Sequence, residues 1–333
     1  MPDYGSKITD KAVSDASRKF IKVYKQAAKE LNRKMLLFVT MFKAKQKIMS
    51  DGLAKGTISK ADYDSWLRGQ VFIGKRWKNK LNQAVNIFQK ANRTANDIIR
   101  QFKIWVFQEN YNRYAYETEI QTGISFDIYN KDAVNKLIKE DPKMLPEWRI
   151  DEEKDYIWNR QKVENAVTQG IIQGESIEQI TKRMADALES TNMSKMRMFA
   201  RTAMTGAQNA GRQKQMEDAE RRGIEIRKQW IATLDDRTRD THQHLDGQTV
   251  AVSESFHVGT KKGVEFIRYP GDPNADPALV YNCRCTMKSV IKGKEGNKRT
   301  RRAYRYNAKG YRESYLVEDM TYDEWKKWKE GQK

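Results

Sequence analysis

Cysteine is nearly missing from this chain. Cys283 and Cys285, one residue apart, are the only two in 333 residues. So small a number argues against a disulfide scaffold and for a reducing compartment. Histidine is as scarce, limited to His242, His244 and His257. Long apolar runs are lacking too. The longest, MLLFVTMF at 35–42, is interrupted by Thr40, and a membrane span needs about 20 apolar residues. The opening MPDYGSKITD has no basic-then-apolar pattern that would direct export. Neither G-x-x-x-x-G-K-[ST] nor G-x-S-x-G occurs, so the common phosphate-loop and nucleophile-elbow chemistries have no footing.

Acidic residues fall short of basic ones, leaving a net charge of +19. The excess sits at the two ends. Residues 1–150 hold 29 Lys/Arg against 16 Asp/Glu, residues 151–291 hold 21 of each, and residues 292–333 hold 13 against 7. Basic ends suit nucleic acid or an acidic protein surface, although lysine-rich helix faces also keep a protein soluble. The candidate DNA contacts are Lys75, Arg76, Lys78 and Lys80 in GKRWKNK, and Lys298, Arg299, Arg301, Arg302 and Arg305 in the tail, where tyrosines are interleaved.

What the chain has in quantity is helical periodicity. Phe20, Tyr24, Ala27, Leu31, Met35, Phe38 and Phe42 advance in steps of three and four, predicting one helix over about 9–50. The glycines of SDGLAKGT supply a turn. Ser59 and Asp62 resemble a capping pair for a second helix, whose stripe runs from Trp66 to Trp105. Two stripes joined by a turn predict an antiparallel hairpin. Further helices are expected over 151–172, from a capping box at Ser176 and Gln179, and over 192–222 with Gly223 as the C-cap. Beyond Gly223 the texture changes. IEIRKQWIA, GVEFIRY and CRCTMKSV read as strands, with Asp-, Gly- and Pro-rich loops between them. The fold class is therefore α+β. Its expected parts are a helical hairpin arm (1–125), a helical connector (126–189), a small α+β domain (190–291) and a basic aromatic tail (292–333) ending in a short helix at MTYDEWKKWKE.

All histidines and cysteines lie within residues 242–285. Cys283 and Cys285 admit several readings. Residues i and i+2 of a strand share a face, but their side chains run parallel, so a disulfide between them would be strained. The Cys-x-x-Cys spacing of redox helices is absent. Two thiolates with one or two imidazoles would suit zinc, which makes His242, His244, Cys283 and Cys285 the candidate ligands. Two small buried residues would also explain them. His242 with Asp235, Asp236, Asp240 or Asp246 could in principle do acid–base or metal-assisted hydrolysis, although aspartates in turns commonly only shape the turn.

In order along the chain, RTAMTGAQNAGR, KQWIATLDDRTRDTHQHLDGQT, YPGDP and NCRC resemble the Mu F-like domain of phage head morphogenesis proteins, also called minor capsid or minor head proteins. The residues that carry the resemblance include Arg201, Thr202, Asn209, Lys228, Trp230, Asp236, Arg239, His242, Asp246, Gly247, Cys283 and Cys285. His244 and His257 lie outside it, which favours His242 with the two cysteines. The resemblance implies a non-enzymatic protein of the virion interior, made in the host cytoplasm. Its expected partners are the portal protein, capsid or scaffolding proteins and double-stranded phage DNA, with influence on packaging or ejection. Arg201, Thr202, Trp230, Asp236, Arg239, Asp246 and Gly247 are then structural motif residues. The alternative from another class is a metal-dependent nuclease or cell-wall hydrolase carried in the virion. A toxin-delivery role is disfavoured because only 42 residues follow the domain.

Overall fold

A computed structural model describes the chain except for residues 1–3, 69–74, 143–144, 146–151, 174, 176, 295–299, 307–311 and 319–333. The helices are α1 (Tyr4–Ala54), α2 (Lys60–Arg68), α3 (Lys75–Thr122), α4 (Lys131–Glu140), α5 (Glu152–Ile172) and α6 (Ile177–Arg221). Then follow β1 (Ile226–Ile231), α7 (Asp240–His244), β2 (Thr249–Ala251), β3 (Phe256–Thr260), β4 (Gly263–Ile267), α8 (Pro277–Val280), β5 (Thr286–Ile291), β6 (Thr300–Tyr306) and β7 (Arg312–Glu318). The class is α+β, as the periodicities predict. The chain forms two compact units, one of residues 17–97 and 149–196, the other of 1–16, 98–148 and 197–333.

Among the described residues, the regular elements of the first unit are all helices. Phe20, Tyr24, Leu31 and Met35 of α1 and Leu81, Ala84, Phe88, Ala91 and Ala95 of α3 are buried, the predicted stripes. Tyr24 stacks on Phe88 and donates to Asn92 Oδ1 at 2.6 Å. The turn after α1 has Gly56 at φ +71°. Ser59 caps α2, accepting the Asp62 N–H at 3.1 Å while its hydroxyl donates to the Asp62 carboxylate at 2.6 Å. A polar cluster sits inside this apolar packing. Asp155, on α5, is buried and accepts from Asn92 at 2.5 Å, from Asn159 at 3.3 Å and from the Lys195 ammonium. Asn192 joins it, donating to Asn159 Oδ1 at 2.8 Å. Every amide here has a partner, and a fully paired network of this kind fixes one arrangement of helices.

The predicted second helix differs from the observed elements. Residues 69–74 lie outside the described residues, and α3 continues well past Trp105, to Thr122. The apolar stripe persists as Phe107, Tyr111, Tyr114 and Ala115, all buried, but the polar neighbours in YNRYAYET mask it. In α6, likewise, two predicted helices are one, ending where Gly223 (φ +82°) lets the Ile224 N–H reach Ala219 O at 3.1 Å. The Ser176 cap, like the predicted helix at 320–330, falls outside the described residues.

Among the described residues, every strand belongs to the second unit. An antiparallel sheet of order β2-β1-β5 carries β1 at its centre, and β3–β4 and β6–β7 form two separate hairpins. One core cluster joins Tyr111, Tyr114, Met216, Ile226, Val252 and Ile291. Another joins Trp230, Leu245, Phe256, Ile267, Leu279 and both cysteines. Helix α6 meets the loop after β4 backbone to backbone. A Cβ on Gly206 would lie 2.6 Å from Gly271 O, and Gly271 itself has φ +80°, so only glycine fits either position. Residues 300–306 and 312–318, read from sequence as part of a tail, pair as a hairpin with Ala303 opposite Tyr315.

The buried Asp155 charge yields a prediction. Lys195→Met removes its cationic partner and should destabilise the helical unit by about 3 kcal/mol or more in chemical denaturation. An unchanged midpoint would mean that the asparagines alone carry the carboxylate.

Candidate metal centre

Cys283 and Cys285 are not on a strand. They occupy an irregular stretch between α8 and β5. The chain leaves α8 through Asn282, the one non-glycine residue with positive φ (58°) among the described residues. The backbone of this stretch then bonds to side chains of α6 instead of to a neighbouring strand. Thr202 Oγ1 accepts from Asn282 N–H at 3.0 Å, Thr205 Oγ1 donates to Cys283 O at 2.9 Å, and Asn209 Nδ2 donates to Cys285 O at 3.3 Å. One residue into β5, Arg212 Nη1 donates to Met287 O at 3.0 Å. Positions 202, 205, 209 and 212 form one stripe of a helix. The sequence reading did not recognise this role, although the polar residues in RTAMTGAQNAGR stand at that spacing.

The one-residue gap between the cysteines follows from the two sides of this stretch. Arg284 makes a fork with the buried Asp235, Nη2 to Oδ1 at 2.8 Å and Nη1 to Oδ2. Asp235 in turn ties its own loop by accepting from Arg237 N–H and the Thr238 hydroxyl, each at 3.1 Å. The two thiols both face His242 on α7, whose Nδ1 lies 3.6 Å from each sulfur. The three side chains are 1–3% exposed, and their ligand atoms all lie within 4.8 Å of one another. A tetrahedral zinc with its usual Zn–S and Zn–N lengths would separate sulfur from nitrogen by about 3.6 Å. The residues therefore fit a soft divalent metal in donor type, spacing and burial. Hydrogen bonding between the thiols lowers the Cys283 pKa and raises that of Cys285 well above the ordinary range, with burial adding to the rise. His242 Nε2 is buried without a hydrogen-bond partner, and the ring stands edge-on to Trp230 at 5.2 Å between centroids.

The other histidines stand apart. His244 is exposed, with Nδ1 2.7 Å from Asp240 O. His257 is on β3, against the Phe266 ring. No carboxylate joins the cluster among the described residues.

The motif residues serve the frame. Trp230 is fully buried on β1. Asp246 accepts from Ala232 N–H at 2.7 Å. Gly247 (φ +82°) donates to Trp230 O at 3.0 Å. Arg239 binds Tyr281 O. Arg201 and Thr202 are on α6, and Asp236 is exposed in the loop before α7.

Of the candidate DNA contacts, Lys75, Arg76, Lys78 and Lys80 begin α3, and Lys80 Nζ lies 3.3 Å from Gln83 Oε1. Arg301, Arg302 and Arg305 are on β6. Lys298 and Arg299 are outside the described residues.

Residues 161–288, which include the whole cluster, match the family described as Phage Mu protein F like protein. That segment is thus similar to a Mu F-like domain, and together with the relatives below it supports a likeness to phage minor head proteins. Among its relatives, the minor head protein GP7 of Bacillus phage SPP1 is 28% identical over 236 residues, 68% of this chain and 70% of that protein. An Enterococcus faecalis protein named NAD(+)–arginine ADP-ribosyltransferase EFV is 30% identical over 216 residues, 64% of this chain and 40% of that protein. An uncharacterized Haemophilus influenzae protein is 26% identical over 65% of this chain and 44% of its own length. The chain thus spans less than half of the enterococcal and Haemophilus proteins. No solved structure matches it.

Lys228, also buried, gives a prediction for this unit. Its ammonium donates to Gln213 Oε1 at 3.1 Å and Arg268 O at 2.9 Å. Burial, helped by the nearby Arg268 charge, pushes its pKa down to about 8. A lowered lysine pKa means that the folded state is penalised for holding the proton. The penalty is complete below about pH 8 and fades towards the unfolded lysine value of about 10.4. Chemical denaturation should show stability rising with pH in that window, and Lys228→Met should lose that increment. Parallel profiles for the two proteins would contradict it.

Proposed function

We propose that this chain is a minor head protein that is bound to the portal inside the phage head, contacts packaged DNA through its basic segments, and influences genome packaging or ejection by assembly, without catalysis. The observation that carries this reading is the match over 70% of a phage minor head protein. Support comes from the charge, concentrated outside a neutral 151–291 segment. Phosphate contacts made by lysine and arginine are sequence-blind and release counterions. Affinity for an arbitrary DNA duplex should therefore fall steeply with salt. Changing Arg301, Arg302 or Arg305 to alanine should reduce the log–log salt slope by about 1 each. The protein should also form a complex with the portal protein of the same phage in size-exclusion chromatography. A flat salt dependence would remove the DNA part, and separate elution would remove the portal part.

We further propose that the cluster holds one zinc ion through His242 Nδ1, Cys283 Sγ and Cys285 Sγ, as a structural ion that ties α7 to the stretch before β5. Zinc would hold both sulfurs as thiolates and fix the imidazole tautomer. The burial of all three ligands favours this role over the alternative of a hydrolytic centre, which needs access for substrate. Elemental analysis should find about one zinc per chain in wild type and in His244→Ala, and much less in Cys283→Ser and His242→Ala. Equal content in all four proteins, or none in wild type, would refute the site.

A further inference from the structure

Three residues of the stripe on α6 hold the cysteine segment by its backbone atoms. Thr205 and Asn209 take the carbonyls of the two cysteines, and Thr202 takes the N–H of the residue just before them. That residue, Asn282, holds a φ of 58°, a conformation that costs any residue with a Cβ. Thr202 is fully buried, and its hydroxyl hydrogen is directed to Met198 O at 2.9 Å, which leaves the oxygen lone pairs facing Asn282. Asn209 is anchored as well, donating to Thr205 O at 3.0 Å and Pro270 O at 2.9 Å and accepting from the Thr286 hydroxyl at 3.2 Å. The ladder is thus held on the helix side and grips the stretch that carries both sulfurs. None of its members is within the cluster itself.

We propose that Thr202, Thr205 and Asn209 are positioning residues for the metal ligands, and that Thr202 does this by keeping Asn282 in its left-handed conformation, so that both thiols face His242 before any metal arrives. The inference rests on the zinc reading above. Ligands held in place in this way need no reordering on binding, and loss of such outer support typically weakens metal affinity by about 10–100-fold.

The test uses the full chain as wild type, Thr202→Val, Asn282→Gly and the double variant. Cobalt(II) serves as the spectroscopic probe and a chelator competition gives affinities. Far-UV circular dichroism and thermal midpoints in chelator report the fold. Thr202→Val should bind cobalt at least about tenfold more weakly while keeping wild-type helicity. Adding Asn282→Gly should recover much of that loss, because glycine takes positive φ without a Cβ penalty. A purely structural threonine would show no such rescue. If Thr202→Val does not fold, Thr205→Val, which removes the donor to Cys283 O, is held to the same tenfold expectation. Wild type that loads cobalt with every variant matching it would overturn the positioning role alone, as would a double variant no better than the single. Wild type that gives no tetrahedral cobalt spectrum would overturn the metal reading and this inference with it.

Discussion

The grip of one helix on one short strip of backbone governs the second unit. From Asn282 to Cys285 the chain runs outside the sheet, yet both cysteines are buried. A buried peptide group without a partner costs about 1–3 kcal/mol. Three backbone groups of the strip find partners in Thr202, Thr205 and Asn209, and Arg212 takes the carbonyl of Met287 where β5 begins. The strip can therefore lie inside the protein without being a strand. Its own side chains are then free to divide, the two thiols to one side and Arg284 to the other.

That division joins two loops to the strip. Arg284 holds the loop after β1 through Asp235, and the thiols hold α7 through His242. Trp230 packs against the imidazole, and the Asp246–Gly247 turn closes on β1 beneath it. Motif residues that look scattered along the sequence are parts of one frame around the cluster. The acidic residues nearby fit the same picture. Asp235 and Asp246 are occupied with a guanidinium and a peptide N–H, so they serve the shape of their loops.

Much of this was legible in the sequence, and the limits have physical causes. Helices whose apolar residues repeat in steps of three and four were readable, as were glycine stops and the Ser59–Asp62 cap. Helix α3 was read short because the aromatic stripe beyond Trp105 is diluted by exposed polar residues. The hairpin of β6 and β7 was missed because its strands are rich in arginine and tyrosine and resemble a basic tail. For the cluster, the concentration of all histidines and cysteines in one segment was informative, and His242 with both cysteines does converge. The placement of Cys283 and Cys285 on a strand failed because alternation alone cannot distinguish a strand from an extended strip satisfied by a helix. The ladder on α6 was overlooked for a related reason. Threonine and asparagine at helical spacing look like an ordinary polar face unless the partner strip is known.

The contact of Gly206 with Gly271 has a consequence for how such a sequence can drift. Each glycine occupies the room that a side chain on the other would need, and Gly271 also has a backbone that disfavours any other residue. Neither position can accept a change on its own, and a change at one cannot be offset by a smaller residue at the other, because none exists. The pair is therefore a fixed point of closest approach between helix and loop. Loop variation in such a sequence would have to pivot about it, with length changes placed on either side and not across it.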